Sequence, residues 1–576
     1  MKIRNIKINN YRGIKHLDWN PNPEINCLIG PGDSTKTTIL DAIEMVFSGS
    51  SGGFLSVFDT DFFGCNVSNP VEIFLTVGDL DDTLLDEDKY GLHARGFTGH
   101  STIVDEPETG SELVLTILFS FDENLEAAWS IYNDRLAESS SEFPRFRKSD
   151  RDKWFPTRLG AYAEEHLTWG RRSALSKIDR KCRPENVRLA DAARAAQRAY
   201  SDFEGIDPLQ ETADTARNLA DQFSVPNNGD FSASLDMSRI SIKSGGVSLH
   251  DGGLPLNSLG TGSSRLLVAS LQQAISTNSN ISLIDEIEYG LEPHRLARLL
   301  KHLKDNGEKG VTGQAFITTH SPEAIRELVL EDINIVRAKD GFTRVLSAGE
   351  VEHTDKIQAL LRASPSAFLA PKVLVGEGRT ECGLMRGFDE YWVRNKLNSF
   401  ALQGVVPIDG GGKDDTPLRA DMLVELGYSV AMLLDSDEPP NEDALKSAEE
   451  KGAKLIQWSE GLSTEERLFI DAPWDLVKSL VCCAGEIRGS EQSIIDNINN
   501  VTKKMKIGEI DLIDLPKKFD TLNYRRAIGK AAKSKGWFKT ISYGELVAEL
   551  CGPYLKQMEK TDFGKNIAVL RQWIDG

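Results

Sequence analysis

Acidic side chains follow two apolar runs in the C-terminal part of this sequence, and their types and spacing could hold a metal. One run is followed directly by Glu377 and, four residues later, by Glu381. A second run, some fifty residues on, is followed by Asp435 and Asp437. Open α/β sheets place their sites just past the carboxyl ends of the strands, and carboxylate oxygens suit Mg²⁺ or Mn²⁺. The pattern therefore predicts metal-assisted phosphodiester chemistry.

These acids need a sheet that brings them together. Four segments with helices between them predict parallel strands at 372–375, 404–408, 430–434 and 454–457. Glu377, Glu381, Asp435 and Asp437 are then expected to converge on one or two divalent metals, which would activate a water and stabilise the leaving 3′-oxygen. Asp409 ends its own strand and is a further candidate ligand, and the glycines that follow it let the backbone approach a phosphate.

A strand, a loop and a helix start near residue 30 fit the pattern G-x-x-x-x-G-K-[ST], whose backbone amides cradle phosphates. Its lysine would reach the β- and γ-phosphates, and Thr37 would hold Mg²⁺. The predicted ATP contacts in this segment are Gly30, Gly32, Lys36, Thr37 and Thr38. Two departures should weaken binding, since Thr35 replaces the last glycine and restricts the backbone, while Asp33 puts a carboxylate into an anion-binding loop.

Three later segments support a nucleotide site. Asp285 and Glu286 end an apolar strand, an arrangement that puts the first carboxylate on Mg²⁺ and the second on the attacking water. His320 ends another strand at the position of a γ-phosphate sensor, although taken alone it would be read as an ordinary loop histidine. A turn with Gly260, Gly262 and Ser263 resembles the signature segment of ABC-type ATPases, which in that family contacts nucleotide held by a second subunit.

Composition sets the broad class. The chain has 576 residues, 40% hydrophobic and 27% charged, which predicts several domains of ordinary globular protein. No apolar run approaches the roughly 20 residues that span a bilayer, and the N-terminus lacks a signal-peptide core. The seven cysteines show no C-x-x-C spacing, so neither a disulfide framework nor a zinc site is indicated. The cytoplasm is the expected compartment, with no membrane partner.

Charge is unevenly distributed. The net charge of −20 argues against a surface generally coated by nucleic acid. Between residues 501 and 540, however, eleven lysines and arginines face only four acids. This basic tract is a candidate track for a phosphate backbone, and a solvated helix face explains the charge alone about equally well.

The order of these motifs resembles the OLD family, ATP-dependent endonucleases with a C-terminal TOPRIM domain. The segments beginning at Arg158 and His166 also look like the ATPase part of that family. The resemblance implies an α/β fold in which an ABC/SMC-RecF-like P-loop ATPase with an inserted helical dimerisation region precedes a TOPRIM parallel sheet. The expected boundaries are 1–150 and 231–362 for the ATPase, 151–230 for the insertion, and 366–576 for the TOPRIM nuclease domain.

The resemblance also assigns roles. Glu377, Lys539 and Glu286 would be catalytic, with Lys539 stabilising charge on the pentavalent phosphate. Either Glu465 or Glu466 would be a further metal ligand. DNA would be the substrate, Mg²⁺ or Mn²⁺ and MgATP the cofactors, and a homodimer or larger homo-oligomer the assembly. Family members serve in bacterial defence against phage, some beside a helicase-like protein and some beside a retron reverse transcriptase.

Two alternatives remain open at this point. The chain could be a nucleotide-sensing dimeric scaffold of the SMC/RecF type whose carboxylates are structural. It could also be a nuclease whose ATPase half is degenerate and serves only in assembly, as Thr35 and Asp33 suggest. TOPRIM sheets occur in topoisomerases and primases as well, but no domain is left over for a nucleophilic tyrosine, and the cysteine spacing provides no zinc ribbon.

Overall fold

The structure is a computed structural model. The residues that it describes are 1–48, 57–86, 88–99, 102–138, 143–154, 156–160, 163–169, 173, 175, 191–192, 194–196, 198–200, 207–222, 229, 231, 247–275, 281–304, 313–502, 507 and 512–576.

The N-terminal part is built on a large mixed sheet. Its strands and one separate hairpin are β1 Lys2–Tyr11, β2 Ile14–Trp19, β3 Ile25–Ile29, β4 Val71–Gly78, β5 Arg95–Phe97, β6 Ile103–Val104, β7 Glu112–Phe121, β8 Ala128–Tyr132, β9 Thr157–Leu159, β10 His250–Asp251, β11 Leu254–Pro255, β12 Ile281–Ile284, β13 Gln314–Thr318, β14 Ile333–Lys339 and β15 Phe342–Ser347. The order in the sheet is β6-β5-β7-β4-β1-β2-β15-β14-β3-β13-β12-β9, with β8 on β7, and β10 pairs with β11 apart from it.

The centre of this sheet is parallel. Strand β3 lies between β13 and β14, and every residue of β3 and β13 is buried. Runs that are buried on both faces are typical of parallel strands covered by helices. The α-helices of this part are Lys36–Phe47, Asp134–Glu138, Lys148–Trp154, Asp207–Gln222, Thr261–Ile275, Pro293–Lys304, Pro322–Glu327 and Thr354–Ala363.

The span 151–230, expected to be a helical insertion, contains a strand near its beginning. Thr157–Leu159 is a strand that pairs in parallel with β12, with Arg158 opposite Leu283. The open edge of β12 offers backbone groups that need partners, and this segment supplies them. The helix Asp207–Gln222 agrees with the helical pattern, and most of the remaining span, including residues 170–172, lies outside the described residues.

The C-terminal part contains the predicted parallel sheet. Its strands are β16 Lys372–Gly376, β17 Val405–Asp409, β18 Ser429–Leu434 and β19 Lys454–Gln457, in the order β17-β16-β18-β19. Each pairs in parallel with its neighbours, so the four expected strands are confirmed to within one residue at each end. The α-helices are Arg379–Arg394, Asp415–Glu425, Glu442–Glu450, Thr464–Asp471, Trp474–Arg488, Glu491–Val501, Leu522–Lys535, Ile541–Cys551, Leu555–Met558 and Asp562–Asp575.

Close helix contacts bring distant segments to the C-terminal ends of these strands. A Cβ on Gly383 would lie 2.1 Å from the carbonyl oxygen of Ile541, and a Cβ on Gly544 would lie 2.5 Å from that of Thr380. Only glycine allows such an approach. The helix that begins at Ile541, with Lys539 just before it, therefore packs directly on the helix that carries Glu381.

One apolar cluster joins the two parts. It includes Ile317 and Ile335 of the large sheet together with Val373 and Val430 of the small one.

Of the basic tract, Lys503, Lys504 and Lys506 lie outside the described residues, while the helix Leu522–Lys535 carries its central portion. No helix in the described ranges is both long and apolar enough to cross a membrane.

Candidate functional site

The phosphate loop connects β3 to the helix Lys36–Phe47. The Lys36 ammonium donates to the carbonyl oxygens of Gly30 and Pro31 at 3.0 and 2.7 Å and to the Ser34 hydroxyl at 3.1 Å. Burial lowers the pKa of Lys36. Gly30 has φ 153°, and a Cβ there would lie 2.5 Å from the carbonyl oxygen of Val336. The loop thus closes around its own lysine, and Gly30 is required for that geometry.

The two departures from the pattern adopt strained backbone. Thr35 has φ 68° and Asp33 has φ 57°, both in the left-handed region. A β-branched residue there is an outlier, since its side chain crowds the backbone. The Thr35 hydroxyl lies 3.1 Å from that of Thr343 on β15, so a side-chain contact helps to hold this conformation.

Asp285 lies beside the loop, at the end of β12. Its Oδ1 accepts from the Thr37 hydroxyl at 3.2 Å and from the Thr318 hydroxyl at 2.6 Å. Neighbouring ligands of an octahedral Mg²⁺ stand about 2.9 Å apart, as follows from metal–oxygen distances of about 2.1 Å. Thr37 and Asp285 are therefore placed so that both could contact one Mg²⁺.

Glu286 and His320 flank this pair. Glu286 is exposed and has φ 47°, and its amide donates to the Thr318 hydroxyl at 2.8 Å. His320 is exposed, and its amide donates to Glu288 Oε1 at 2.8 Å. Glu288 also accepts from the Thr319 hydroxyl at 2.6 Å. Sequence reasoning did not identify this anchoring glutamate, although its place two residues after Glu286 was a usable signal.

The Gly/Ser turn begins the helix Thr261–Ile275. Gly260 is exposed, whereas a Cβ at Gly262 would lie 2.2 Å from the carbonyl oxygen of Gly290. The Ser263 hydroxyl accepts from Arg295 at 3.2 Å. Gly262 and Ser263 thus pack on the segment that follows Glu286, and Gly260 faces solvent, where a second subunit could reach it.

The predicted carboxylates line one cleft of about 530 Å³ at the carboxyl ends of the small sheet. The acids in it are Glu377, Glu381, Asp409, Asp435, Asp437 and Glu465, with Glu438 at one side. Lys539 lines the same cleft, together with Lys413 and Lys533. The sequence assigned no site role to Lys413 or Glu438 and placed Lys533 only in the basic tract, because packing of helices and loops brings these residues to the cleft.

The central acids are fixed by backbone and hydroxyl donors. Asp435 donates its amide to Glu377 Oε2 at 2.9 Å. The Oδ1 of Asp435 accepts from both the amide and the hydroxyl of Thr464 at 2.8 Å. Glu381 accepts from the Gly378 amide at 3.0 Å. In each of these three carboxylates, at least one oxygen is held in place by a hydrogen bond from the protein.

Burial raises the pKa of four of these acids. For Glu377 burial is the main cause. For Glu381 burial is reinforced by the charge of Glu465, and for Asp435 by the charges of Glu381 and Glu377. Burial and the charge of Asp435 raise the pKa of Glu465 to about 7, while nearby Lys539 opposes the shift. Several acids therefore share one poorly solvated space and repel one another.

Of the two adjacent candidates, only Glu465 reaches the cleft. Glu466 instead closes a capping box, in which its Oε2 accepts from the Ser463 amide at 3.3 Å and its own amide donates to the Ser463 hydroxyl. Its Cα would lie 2.6 Å from a Cβ at Gly529. The cap favours Glu465 over Glu466 as the acid of the cleft, because neighbours in a helix point about 100° apart and the cap takes the Glu466 side chain.

Convergence of the acids is partial. Asp437 forms an ion pair with Lys533, and Asp409 is half-exposed, 4.0 Å from the Arg379 guanidinium. Within the ranges that the structure describes, no three His, Cys, Asp or Glu side chains stand at metal-ligand spacing. The donor set nevertheless fits Mg²⁺ or Mn²⁺, since buried, mutually repelling carboxylate oxygens are what a hard dication compensates.

Solved structures with a similar fold include SMC heads. An Smc head bound to the C-winged helix domain of ScpA is 12% identical, with a TM-score of 0.34 over 60% of this chain and 98% of that one. The SMC head domain from Thermotoga maritima is 13% identical, with a TM-score of 0.29 over 60% and 99%. An Smc head with an extended coiled coil, from Pyrococcus furiosus, is 12% identical, with a TM-score of 0.35 over 63% and 99%.

No curated protein matches the sequence. Residues 25–326 match the family described as "AAA domain, putative AbiEii toxin, Type IV TA system". That span is more than half of the chain and contains the phosphate loop, the Gly/Ser turn, Asp285, Glu286 and His320. The chain therefore belongs to this AAA family and carries an ATPase-type domain in its N-terminal part.

Proposed function

We propose that the chain is a metal-dependent DNA endonuclease of the OLD type, in which a C-terminal TOPRIM domain is controlled by the N-terminal ATPase. The observation that carries this proposal is the cleft where Glu377, Glu381, Asp435 and Glu465 meet under a rim of lysines. Buried acids that repel one another destabilise the fold unless a cation compensates them. Repelling carboxylates in a cleft that opens to solvent are more typical of a functional site than of a structural one.

The roles follow from the surroundings of each residue. Glu377, Glu381, Asp435 and Glu465 would hold Mg²⁺ or Mn²⁺, which supply an activated water and stabilise the leaving 3′-oxygen. Lys539, exposed at the rim, would donate to a non-bridging oxygen of the scissile phosphate. Thr464, which holds Asp435 Oδ1 with two donors, would keep that carboxylate fixed.

DNA is the substrate that the resemblance to the OLD family implies, and the basic rim around the acidic cleft floor supports a phosphodiester. Lys413, Lys533 and Lys539 lie around the acids, and the helix that carries Lys533 also contains Arg526 and Lys530. Ammonium groups of this kind neutralise backbone phosphates. A phosphodiester is thereby attracted to a site whose floor alone would repel it.

The N-terminal half would bind MgATP through Lys36, Thr37 and Asp285, with Glu286 and His320 at the γ-phosphate. The turn with Gly260, Gly262 and Ser263 would contact nucleotide held by a second subunit through its exposed end at Gly260, so a homodimer or larger homo-oligomer is the proposed assembly. The proposed setting is cytoplasmic bacterial defence against phage, with a helicase-like protein or a retron reverse transcriptase and its DNA as partner.

A second candidate is a nucleotide-sensing SMC/RecF-like dimeric scaffold without nuclease activity. The ion pair between Asp437 and Lys533 favours it, since this aspartate already has a cation. The hydrogen bond from the Gly378 amide to Glu381 also favours the scaffold, since this carboxylate already has a structural partner.

Supercoiled plasmid incubated with the purified chain and Mg²⁺ or Mn²⁺, with and without ATP, separates the two. Asp435→Asn keeps an acceptor for Thr464 and removes the charge, and Asp443→Asn on an exposed helix start is the matched control. We expect metal-dependent nicking or linearisation that falls by a factor of about 100 or more in Asp435→Asn and is unchanged in Asp443→Asn. If Asp435→Asn cuts as well as Asp443→Asn, the nuclease proposal is refuted. If the wild type binds ATP but does not cut, the scaffold becomes the better proposal.

A further inference from the structure

The carboxylate of Asp285 is held from two sides. Its Oδ1 accepts from the hydroxyls of Thr37 and Thr318, and its Oδ2 lies 3.3 Å from Nη2 of Arg158. The Arg158 side chain is 18% exposed and Asp285 is 21% exposed. Oδ1 therefore faces the phosphate loop, and Oδ2 contacts a largely buried cation.

Arg158 is itself anchored to the helix that follows the phosphate loop. Its Nη2 lies 3.0 Å from Asp41 Oδ1, and its Nη1 lies 3.8 Å from Glu44 Oε2. Asp41 Oδ2 in turn accepts from Arg12 at 2.6 Å, and Arg12 pairs with Asp61 at 2.8 Å. An unbroken chain of ion pairs thus runs from the turn between β1 and β2 to the side of Asp285 away from Thr37.

We propose that Arg158 is a positioning residue of the nucleotide site, which holds Asp285 by Oδ2 so that Oδ1 faces Thr37 and is available to Mg²⁺. The proposal rests on the nucleotide site proposed above. Partners that orient a metal-binding carboxylate in this way typically change metal affinity by about 10- to 100-fold when removed.

A fixed guanidinium beside Asp285 could instead repel a dication, so the local charges matter. The carboxylates around these residues outnumber the cations by five to four: Asp33, Asp41, Glu44, Asp61 and Asp285 against Arg12, Lys36, Arg158 and Arg337. A net negative site still attracts Mg²⁺. Arg158 thus reduces repulsion among the acids without reversing the sign of the site.

The position of Arg158 in the fold links the contact with Asp285 to the edge strand β9. Arg158 lies on β9, an edge strand within the span 151–230 that was predicted to be the dimerisation insertion. Movement of that strand would change the hold on Asp285 directly, because the Asp285 amide also donates to the Leu159 carbonyl oxygen at 3.1 Å. Through Arg158 and Leu159, one short strand fixes both the backbone and the side chain of Asp285.

The test measures metal affinity separately from nucleotide affinity. A fluorescent ATP analogue is titrated in EDTA, and Mg²⁺ or Mn²⁺ is then titrated at fixed analogue concentration, for the wild type, Arg158→Ala, Arg158→Lys and Asp41→Asn. Arg135→Ala is the control, since that arginine forms exposed ion pairs with Asp105 and Glu106. We expect Arg158→Ala to weaken metal binding about 10-fold or more and to leave metal-free nucleotide binding unchanged. Arg158→Lys should recover part of the loss, and Asp41→Asn should show a smaller loss of the same sign.

An equal loss with and without metal would overturn the proposal and make Arg158 a general support of the fold. Unchanged or tighter metal binding would overturn it as well, the latter because it would make Arg158 a competitor of the ion. If Arg158→Ala does not fold, Arg158→Lys and Asp41→Asn decide the matter. A wild type without metal-dependent nucleotide binding would refute the proposed nucleotide site itself, before any variant is compared.

Discussion

The guanidinium carbon of Arg337 lies 4.2 Å from the centre of the Tyr428 ring. Arg337 is on β14, which pairs with β3 just before the phosphate loop. Tyr428 directly precedes β18, the strand that leads to Asp435, and its hydroxyl donates to the carbonyl oxygen of Phe368 at 2.7 Å. This cation–π pair therefore connects a strand of the nucleotide site to the segment that begins a strand of the carboxylate cleft.

Replacing Arg337 should loosen this connection. Arg337→Ala removes a partly desolvated cation–π contact of about 1–2 kcal/mol, so we expect a lower unfolding temperature and a broader or split calorimetric transition. The control is Arg344→Ala, since Arg344 is the exposed cross-strand neighbour of Arg337. Equal effects of the two substitutions would show that the cation–π pair does not join the two parts of the chain.

The stability of the metal-free protein should depend on pH through the cleft acids. In the unfolded chain Glu and Asp titrate near 4, whereas burial and the charge of Asp435 raise the pKa of Glu465 to about 7. A carboxyl with a raised folded pKa contributes stability below its unfolded pKa and loses that contribution as pH rises through its folded pKa. We therefore expect the unfolding temperature to fall between about pH 4 and pH 7 in EDTA.

Two variations check that the acids cause this trend. Asp435→Asn removes one of the repelling charges, so its unfolding temperature should exceed that of the wild type at pH 7.5 and depend less on pH. Mn²⁺ should raise the unfolding temperature of the wild type at pH 7.5 and much less that of Asp435→Asn. A wild type whose metal-free stability rises across this range would contradict the mutual repulsion of these acids.

Glu465 and Glu466 should differ sharply despite being neighbours. Glu465→Gln is expected to reduce metal-dependent plasmid cutting by a factor of about 100 and to leave stability equal or higher. Glu466→Ala removes the capping contact and should cost about 1 kcal/mol of unfolding free energy while cutting is retained. Plasmid assays and thermal unfolding of both variants decide this, and the reverse pattern would refute the assignment of the cleft.

Thr35→Gly should raise ATP affinity. Thr35 has φ 68°, and its β-branched side chain restricts the backbone, whereas glycine would let the loop adjust around the phosphates. Thr35→Ala removes the contact with Thr343 but keeps a Cβ that glycine lacks, so the gain should be specific to glycine. Nucleotide titration of the two variants checks this, and unchanged or weaker binding by Thr35→Gly would show that the threonine does not impair the loop.

The sequence by itself determined the strands of the small sheet, the strand–loop–helix around Lys36 and the acids at strand ends. These follow from local rules, since a short apolar run bounded by turns forms a buried strand and the next residue lies at the sheet edge. The domain boundaries and the catalytic roles remain predictions of the sequence.

Only the tertiary structure decided which of these side chains meet. Arg158 and Asp285 are separated by 127 positions, and Lys533 reaches Asp437 only because the helix Leu522–Lys535 packs on the helix Thr464–Asp471. The choice of Glu465 over Glu466 depends on the rotation of that helix, which the cap at Ser463 fixes. Such contacts arise from packing between segments that are far apart in the chain, and local propensity carries no information about which partner a side chain will find.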